Sequence, residues 1–250
     1  GSGKTYLAEQ VIKSIAGSGD VESCRLAALW NDDAPQLQDC QVLWDIVQFH
    51  PSYSYEDFVR GLVTEPTERG IVFRVRNRIL AKAAKVARDH HETPVILILD
   101  EINRADLARV LGELIYALER ERRGLPVSSQ YGIGDPPDHT LRLPTNLYLI
   151  GTMNTADRSI ALVDYAIRRR FSFFSILPRI EAVEVFYEDS SLHGGDEATA
   201  TQIGPRVVEL YRAVYTLFDG LSDADDIRIG HSYFLVKGPG NAKPLSLADW

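Results

Sequence analysis

Cysteine is nearly absent, with two in 250 residues, Cys24 and Cys40. Two thiols build no disulfide framework, and their scarcity points to a reducing compartment. Long hydrophobic runs are missing too. The longest purely aliphatic stretch is Val95–Leu99, far short of the ~20 residues that cross a bilayer. No membrane segment and no signal-peptide pattern is read, and the expected location is the cytoplasm. Positive charge is in deficit. A net charge of −8 excludes a general nucleic-acid-binding face and leaves room only for a local basic patch. The six histidines and two cysteines show no zinc-ligand spacing. No Ser-His-Asp or nuclease pattern, internal repeat or low-complexity tract stands out. What remains is 45% apolar and 25% charged, the balance of an ordinary globular chain.

Hydrophobic spacing predicts alternating strands and helices. Thr5–Ile15 reads as a helix with Leu7, Val11 and Ile15 on one face and Gly17 as its stop. Val42–Phe49 reads as a strand, followed by an aromatic loop, His50–Phe58. Arg74–Asp89 reads as a helix, with Val75, Ile79, Ala83 and Val86 in register. Val95–Leu99 is apolar and rich in β-branched residues, as in a strand buried on both faces. Leu107–Glu119 reads as one amphipathic helix. Gly124–Arg142 is rich in proline and glycine and reads as a loop or hairpin insertion. Leu147–Met153 is a second buried strand, Ala161–Arg170 a short helix and Phe171–Phe174 a last strand. Beyond Pro178 acidic and Gly-rich loops alternate with a helix near Arg206–Phe218. The pattern predicts an α/β fold with a parallel sheet covered on both faces. Residues 1–177 form its core, and 178–250 a smaller, mainly helical and truncated lid.

Three stretches carry chemistry. "GSGKT" opens the chain and matches the last positions of the phosphate-binding loop G-x-x-x-x-G-K-[ST]. Glycine backbone N–H groups there curl around phosphate oxygens at a helix N-terminus. Gly1, Ser2, Gly3, Lys4, Thr5 and the adjacent Tyr6 are the candidate nucleotide-binding residues. Lys4 reaches the β- and γ-phosphates and Thr5 ligates Mg²⁺. Second, "VILILDEINRA" delivers Asp100 and Glu101 to the carboxyl end of a buried strand, where α/β sheets bind ligands. Asp100 is the second candidate Mg²⁺ residue. Glu101 is the candidate that polarises the attacking water. Third, "AIRRRF" sets three arginines at a helix end. That exceeds what a helix dipole needs, and neighbouring side chains do not share a face. At least one points at something specific, such as a γ-phosphate.

"GTMNTADRS" (Gly151–Ser159) admits three readings: a γ-phosphate and water sensor, a guanine reader resembling Asn-Lys-x-Asp, or a polar turn. Tyr53, Tyr55 and Phe58 of the aromatic loop fit two roles equally well, gripping a partner or packing on the sheet.

"LDEINRA", "GTMNTADRS", "VDYAIRRRF" and "FHPSYSYEDFVRG" together resemble the McrB family of AAA+ GTPases, the motor subunits of modification-dependent restriction systems. The resemblance covers most of Gly1–Phe174, and "IGHSYF" (Ile229–Phe234) is similar as well. The first half of the phosphate loop is the one departure. The resemblance implies a P-loop NTPase of AAA+ type with sheet order 5-1-4-3-2, the first strand missing from this chain. It implies a ring, usually a hexamer, with active sites between subunits. It implies that Asn154 and Asp157 matter for hydrolysis and that Arg158, Arg169 and Arg170 face nucleotide or a neighbour. It implies Mg²⁺, GTP or ATP as substrate, an McrC-like nuclease partner, and DNA reached through a domain outside this chain. The implied order sets the Met153 strand between the phosphate-loop strand and the Asp100 strand, which favours the sensor reading of "MNTADRS".

The leading function is therefore a Mg²⁺-dependent NTPase motor. Alternatives are a protein-remodelling ATPase of MoxR or dynein-related type, and an assembly scaffold with negligible turnover. A missing core strand removes several buried aliphatic side chains, each worth about 1.5–3 kcal/mol, from a net stability of about 5–15 kcal/mol. Residues 1–250 are thus expected to be an excerpt that folds poorly alone. Calorimetry of this segment tests the point: a broad, low-temperature transition is expected, and a cooperative, high-temperature melt contradicts it.

Overall fold

The computed structural model describes residues 3–17, 21–26, 40–68, 70–154, 164–188, 204–220, 228, 230 and 234–235. The chain divides into two compact units, Thr5–Phe173 and the remainder.

Helix α1 runs over Lys4–Ala16 and stops at Gly17, whose φ of 62° suits the residue without a Cβ. Its buried stripe is Ala8, Ile12 and Ala16, while Leu7, Val11 and Ile15 lie one position round and stay exposed. Two alanines in the buried stripe let the helix lie close to the sheet.

Strand β1 (Leu43–Gln48) leads through the four-residue helix α2 (Tyr55–Phe58) into a hairpin, β2 (Arg60–Thr67) and β3 (Gly70–Asn77). Helix α3 then spans Ile79–Asp89. This corrects the expectation of one helix over Arg74–Asp89. Val75 fits a helical stripe, yet it pairs with Leu62 across the hairpin, and tertiary pairing overrides a short periodic match.

Strand β4 is Val95–Asp100. Helices α4 (Leu107–Leu111) and α5 (Leu114–Ala117) replace the single helix expected over Leu107–Glu119. The break is Gly112, at φ 52°, where a Cβ would lie 3.0 Å from the Tyr55 ring. The insertion is a hairpin, β5 (Pro126–Ile133) and β6 (Asp138–Arg142). Strand β7 (Leu147–Gly151) and helix α6 (Tyr165–Arg168) complete the larger unit. Its main sheet is parallel, in the order β1-β4-β7, which is the 2-3-4 portion of the expected order. No strand forms at Phe171–Phe174. In the order 5-1-4-3-2 that strand pairs only with strand 1, and the described residues supply no such neighbour.

Val95, Leu97 and Leu99 point into a core shared with α3, α4 and α5. Ile96 and Ile98 pack on the α1 side with Ala8, Ile12, Val42 and Trp44. Cys24 and Cys40 are joined by a disulfide, against the expectation that two cysteines build no disulfide framework. Their 16-residue separation is bridged where residues 21–26 lie beside the start of β1, with Arg25 in a parallel bridge to Trp44, its guanidinium over the Trp44 ring and donating to the buried Asp45 at 2.9 Å.

In the smaller unit, helices α7 (Ile180–Glu188) and α8 (Gly204–Thr216) enclose Val183, Phe186, Tyr187, Tyr211 and Phe234. Phe234, the last residue of "IGHSYF", is a packing residue there, and its carbonyl accepts from the Tyr187 hydroxyl at 2.9 Å. Burial pushes the Tyr211 hydroxyl up to about 12.

Arg60 staples the two hairpins of the larger unit. It is buried, and it donates from Nε to Asn77 Oδ1 at 2.8 Å and from its terminal nitrogens to the carbonyls of Tyr131, Asp138 and Thr140 at 3.0–3.3 Å. Burial pulls its pKa below the ordinary arginine value. Arg60→Ala removes a buried guanidinium together with its four hydrogen bonds, and denaturant unfolding is expected to show a loss of about 2–4 kcal/mol.

Candidate nucleotide-binding site

Parallel pairing aligns the carboxyl ends of β4 and β7, with Leu99 opposite Gly151. A Cβ on Gly151 would stand 2.8 Å from Ile102 Cδ1, so glycine lets the chain after β4 cross close to β7. The polar residues that follow both strands are brought together at this point.

Asp100 is the hub. Its Oδ1 accepts from Thr5 Oγ1 at 2.6 Å and from Thr152 Oγ1 at 2.6 Å. Both are charge-assisted hydrogen bonds, which are short and strong. Thr5 stands in the first turn of α1, so one contact ties that helix to the middle strand of the sheet. Glu101 follows in the left-handed region, at φ 54° and ψ 47°. A non-glycine residue there costs on the order of 1–3 kcal/mol, and such strain persists where the surroundings enforce it. Here its N–H donates to Thr152 Oγ1 at 3.2 Å, and its carboxylate forms an ion pair with Arg104. The reversal turns the chain into a short 3₁₀ turn, Ile102–Arg104. Asn103 then donates from Nδ2 to the Asn154 carbonyl at 3.0 Å. Its Oδ1 is buried with no hydrogen-bond partner among the described residues.

Mg²⁺ takes hard oxygen donors, and at nucleotide sites it uses one or two protein oxygens with phosphates and waters. A threonine hydroxyl 2.6 Å from an aspartate oxygen fits that donor set. Among the described residues no group of three or more His, Cys, Asp or Glu side chains gathers as a metal cage, so the fit is to a shared nucleotide–metal site. Gly3, at φ 74°, precedes Lys4, whose ammonium burial pulls below the ordinary lysine pKa. Tyr6 is exposed.

Of the sequence candidates, Thr5, Asp100, Glu101 and Asn154 come together with residues of one another's segments. Gly1, Ser2, Asp157 and Arg158 lie outside the described residues. The arginines differ in kind. Arg170 is held inside its own chain, donating to Glu119 Oε1 at 2.5 Å and to the Ala166 carbonyl at 2.6 Å. Arg169 is exposed, with its guanidinium 6.0 Å from the centroid of the Tyr165 ring.

The aromatic loop packs inward. Phe58 is fully buried, and Phe49 stacks on Tyr53 at 4.8 Å. The Tyr55 hydroxyl donates to Glu113 Oε1 at 2.5 Å and meets Ser129 Oγ at 2.8 Å. Burial, with Asp57 nearby, pushes the Tyr53 hydroxyl up to about 12. Of the two roles open from sequence, packing is the one these residues perform here.

Sequence reasoning passed over Thr152, Asn103 and Arg104, each inside a motif it had quoted. The available signal for Thr152 was a lone hydroxyl directly after a strand-ending glycine.

Residues 34–171 match the family model of the AAA domain, dynein-related subfamily. The chain belongs to the dynein-related AAA family. This AAA chain is 34% identical over 235 residues to the Type IV methyl-directed restriction enzyme EcoKMcrB subunit of Escherichia coli (strain K12), covering 94% of this chain and 45% of that protein. It is 35% identical over 107 residues to the Type II restriction enzyme BsuMI component YdiS of Bacillus subtilis (strain 168), covering 38% of this chain and 29% of that protein. The chain thus spans less than half the length of these relatives. A solved structure of an ATPase candidate from Cytophaga hutchinsonii ATCC 33406 aligns over 86% of this chain and 64% of that one, at 14% identity and a TM-score of 0.36. The strand order, the Thr5–Asp100 contact and the family match agree on a P-loop NTPase core of AAA+ type.

Arg169 and Arg170 of this AAA domain are expected to separate in experiment. Arg170→Ala breaks an internal, partly buried ion pair and should lower unfolding free energy by about 1 kcal/mol. Arg169→Ala should leave the melt unchanged.

Proposed function

We propose that this chain is the hydrolytic core of a Mg²⁺-dependent ring motor resembling the McrB subunit, with GTP or ATP as substrate. The observation that carries the reading is the meeting of Thr5, Asp100 and Thr152 at the end of β4, with Glu101 fixed at the next position.

Gly1, Ser2, Gly3 and Lys4 cradle the phosphates, with Tyr6 at the edge of the site. Thr5 and Asp100 would hold Mg²⁺, which would supply positive charge to offset the negative charge of the phosphates. Phosphoryl transfer needs positioning and electrostatics more than covalent help. Glu101 accepts a hydrogen bond from the attacking water. Asn154 donates to the γ-phosphate or to that water, and Asp157 orients its neighbours. Arg158 and Arg169 serve the site of an adjacent subunit in a ring, probed as a hexamer. Arg170, tied to Glu119, shapes the segment that presents them. Residues 1–177 act as the nucleotide core and 178–250 as part of its helical lid. Both curated relatives are named as parts of restriction enzymes, which supports a cytoplasmic restriction system as the setting. The partner is then an McrC-like nuclease, and DNA is engaged through a domain outside this chain.

The test is turnover of GTP and of ATP by the intact protein with its nuclease partner. Glu101→Gln and Asn154→Ala should each retain nucleotide binding while hydrolysis drops by about 10² or more, as expected for groups that act in the transition state. No turnover by the unaltered protein with either nucleotide rejects the motor reading. A changed base preference in Asn154→Ala makes that residue a base reader instead.

A further inference from the structure

We infer that Thr152 is a positioning residue that sets the metal-holding carboxylate and the strained glutamate from the β7 side. The inference rests on the nucleotide-hydrolysing reading above and concerns how that site is held.

Thr152 touches each of the four residues from Leu99 to Ile102. Its N–H donates to the Leu99 carbonyl at 2.9 Å, and its carbonyl accepts from Ile102 N–H at 2.9 Å. Between those backbone bonds its hydroxyl does two jobs at once. It donates to Asp100 Oδ1 at 2.6 Å and accepts from Glu101 N–H at 3.2 Å. A hydroxyl has one hydrogen to give and lone pairs to accept with, so both bonds form together and fix the rotor. The residue is buried, so water does not readily replace either bond. Thr5 makes the other contact to the same Asp100 oxygen, but Thr5 is also the hydroxyl that turns to a metal ion. Thr152 has no such second duty. It therefore keeps Asp100 in one orientation whether or not the metal is present. Two residues further on, Asn154 is tied by its carbonyl to Asn103. The segment after β7 and the segment after β4 are thus zipped at two points, and Thr152 is the one that reaches the acid pair. A shift of the Asn154 segment is passed to Asp100 and Glu101 through this hydroxyl.

The experiment compares Thr152→Val, which keeps the shape and removes both hydroxyl bonds, with Thr152→Ser, which keeps the hydroxyl. Intact protein is titrated with a fluorescent GTP or ATP analogue in EDTA and over a Mg²⁺ series, and turnover is followed in parallel. Groups that orient metal ligands typically govern about 10–100-fold in metal affinity or activity. The Val variant is expected to bind nucleotide normally in EDTA, to need about 10-fold more Mg²⁺ for half-maximal effect, and to lose about 10-fold or more in kcat. The Ser variant is expected to restore both to within about 3-fold. An unchanged Mg²⁺ curve and kcat in the Val variant overturn the inference. So does an equal loss of binding in EDTA, or a Ser variant that behaves like Val. Should the Val variant lose its cooperative melt, Thr152→Ala is measured by the same criteria. If the unaltered protein turns over no nucleotide, the hydrolysis reading falls, and the EDTA and Mg²⁺ binding curves alone decide on Thr152.

Discussion

Strand β4 has no freedom left. It is paired on both edges, to β1 and to β7, and covered on both faces, by the α3–α5 core and by α1. Each of its five aliphatic side chains contributes about 1.5–3 kcal/mol on burial. A slip of one residue would exchange its two faces and carry Asp100 away from Thr5. The placement of one carboxylate is therefore a by-product of the packing of the residues before it.

The end of that strand shows the reverse balance. The unbroken apolar run stops at Leu99, and hydrogen bonds take over within one residue before Ile102 returns to the core. Leu99, Asp100, Glu101 and Ile102 are all bound by Thr152, and Asn103 reaches Asn154. The left-handed backbone at Glu101 is tolerated because its N–H and its carboxylate both have partners. Rigidity comes from the sheet and chemical character from its rim, as expected for ligand sites in open α/β folds.

Much of this was legible in the residues. The aliphatic run Val95–Leu99 could be little other than a buried strand, and Thr5 and Asp100 were singled out by the company they keep. The hairpin β2–β3 was not legible, because Val75 continues the helical spacing of Ile79 and Val86 while it pairs with Leu62 across the hairpin. The break at Gly112 depends on the Tyr55 ring, which is distant in sequence. The strand expected at Phe171–Phe174 has no neighbour among the described residues. The Cys24–Cys40 pairing depends on residues 21–26 lying beside β1, which no count of cysteines reveals. Thr152 escaped because a single threonine carries no motif, and its role exists only once β4 and β7 lie side by side.

The Arg60 guanidinium also defines a mechanical path. It joins Asn77 of the first hairpin to three carbonyls of the second through one rigid, planar group. A pull on either tip is shared by both hairpins before it reaches the sheet. Four covalent routes lead on from there: through α2 into β1, through α3 into β4, through residues 143–146 into β7, and back through residues 118–125 to α5. The chain thus ties the stapled hairpins to all three strands of the main sheet, the one carrying Asp100 included.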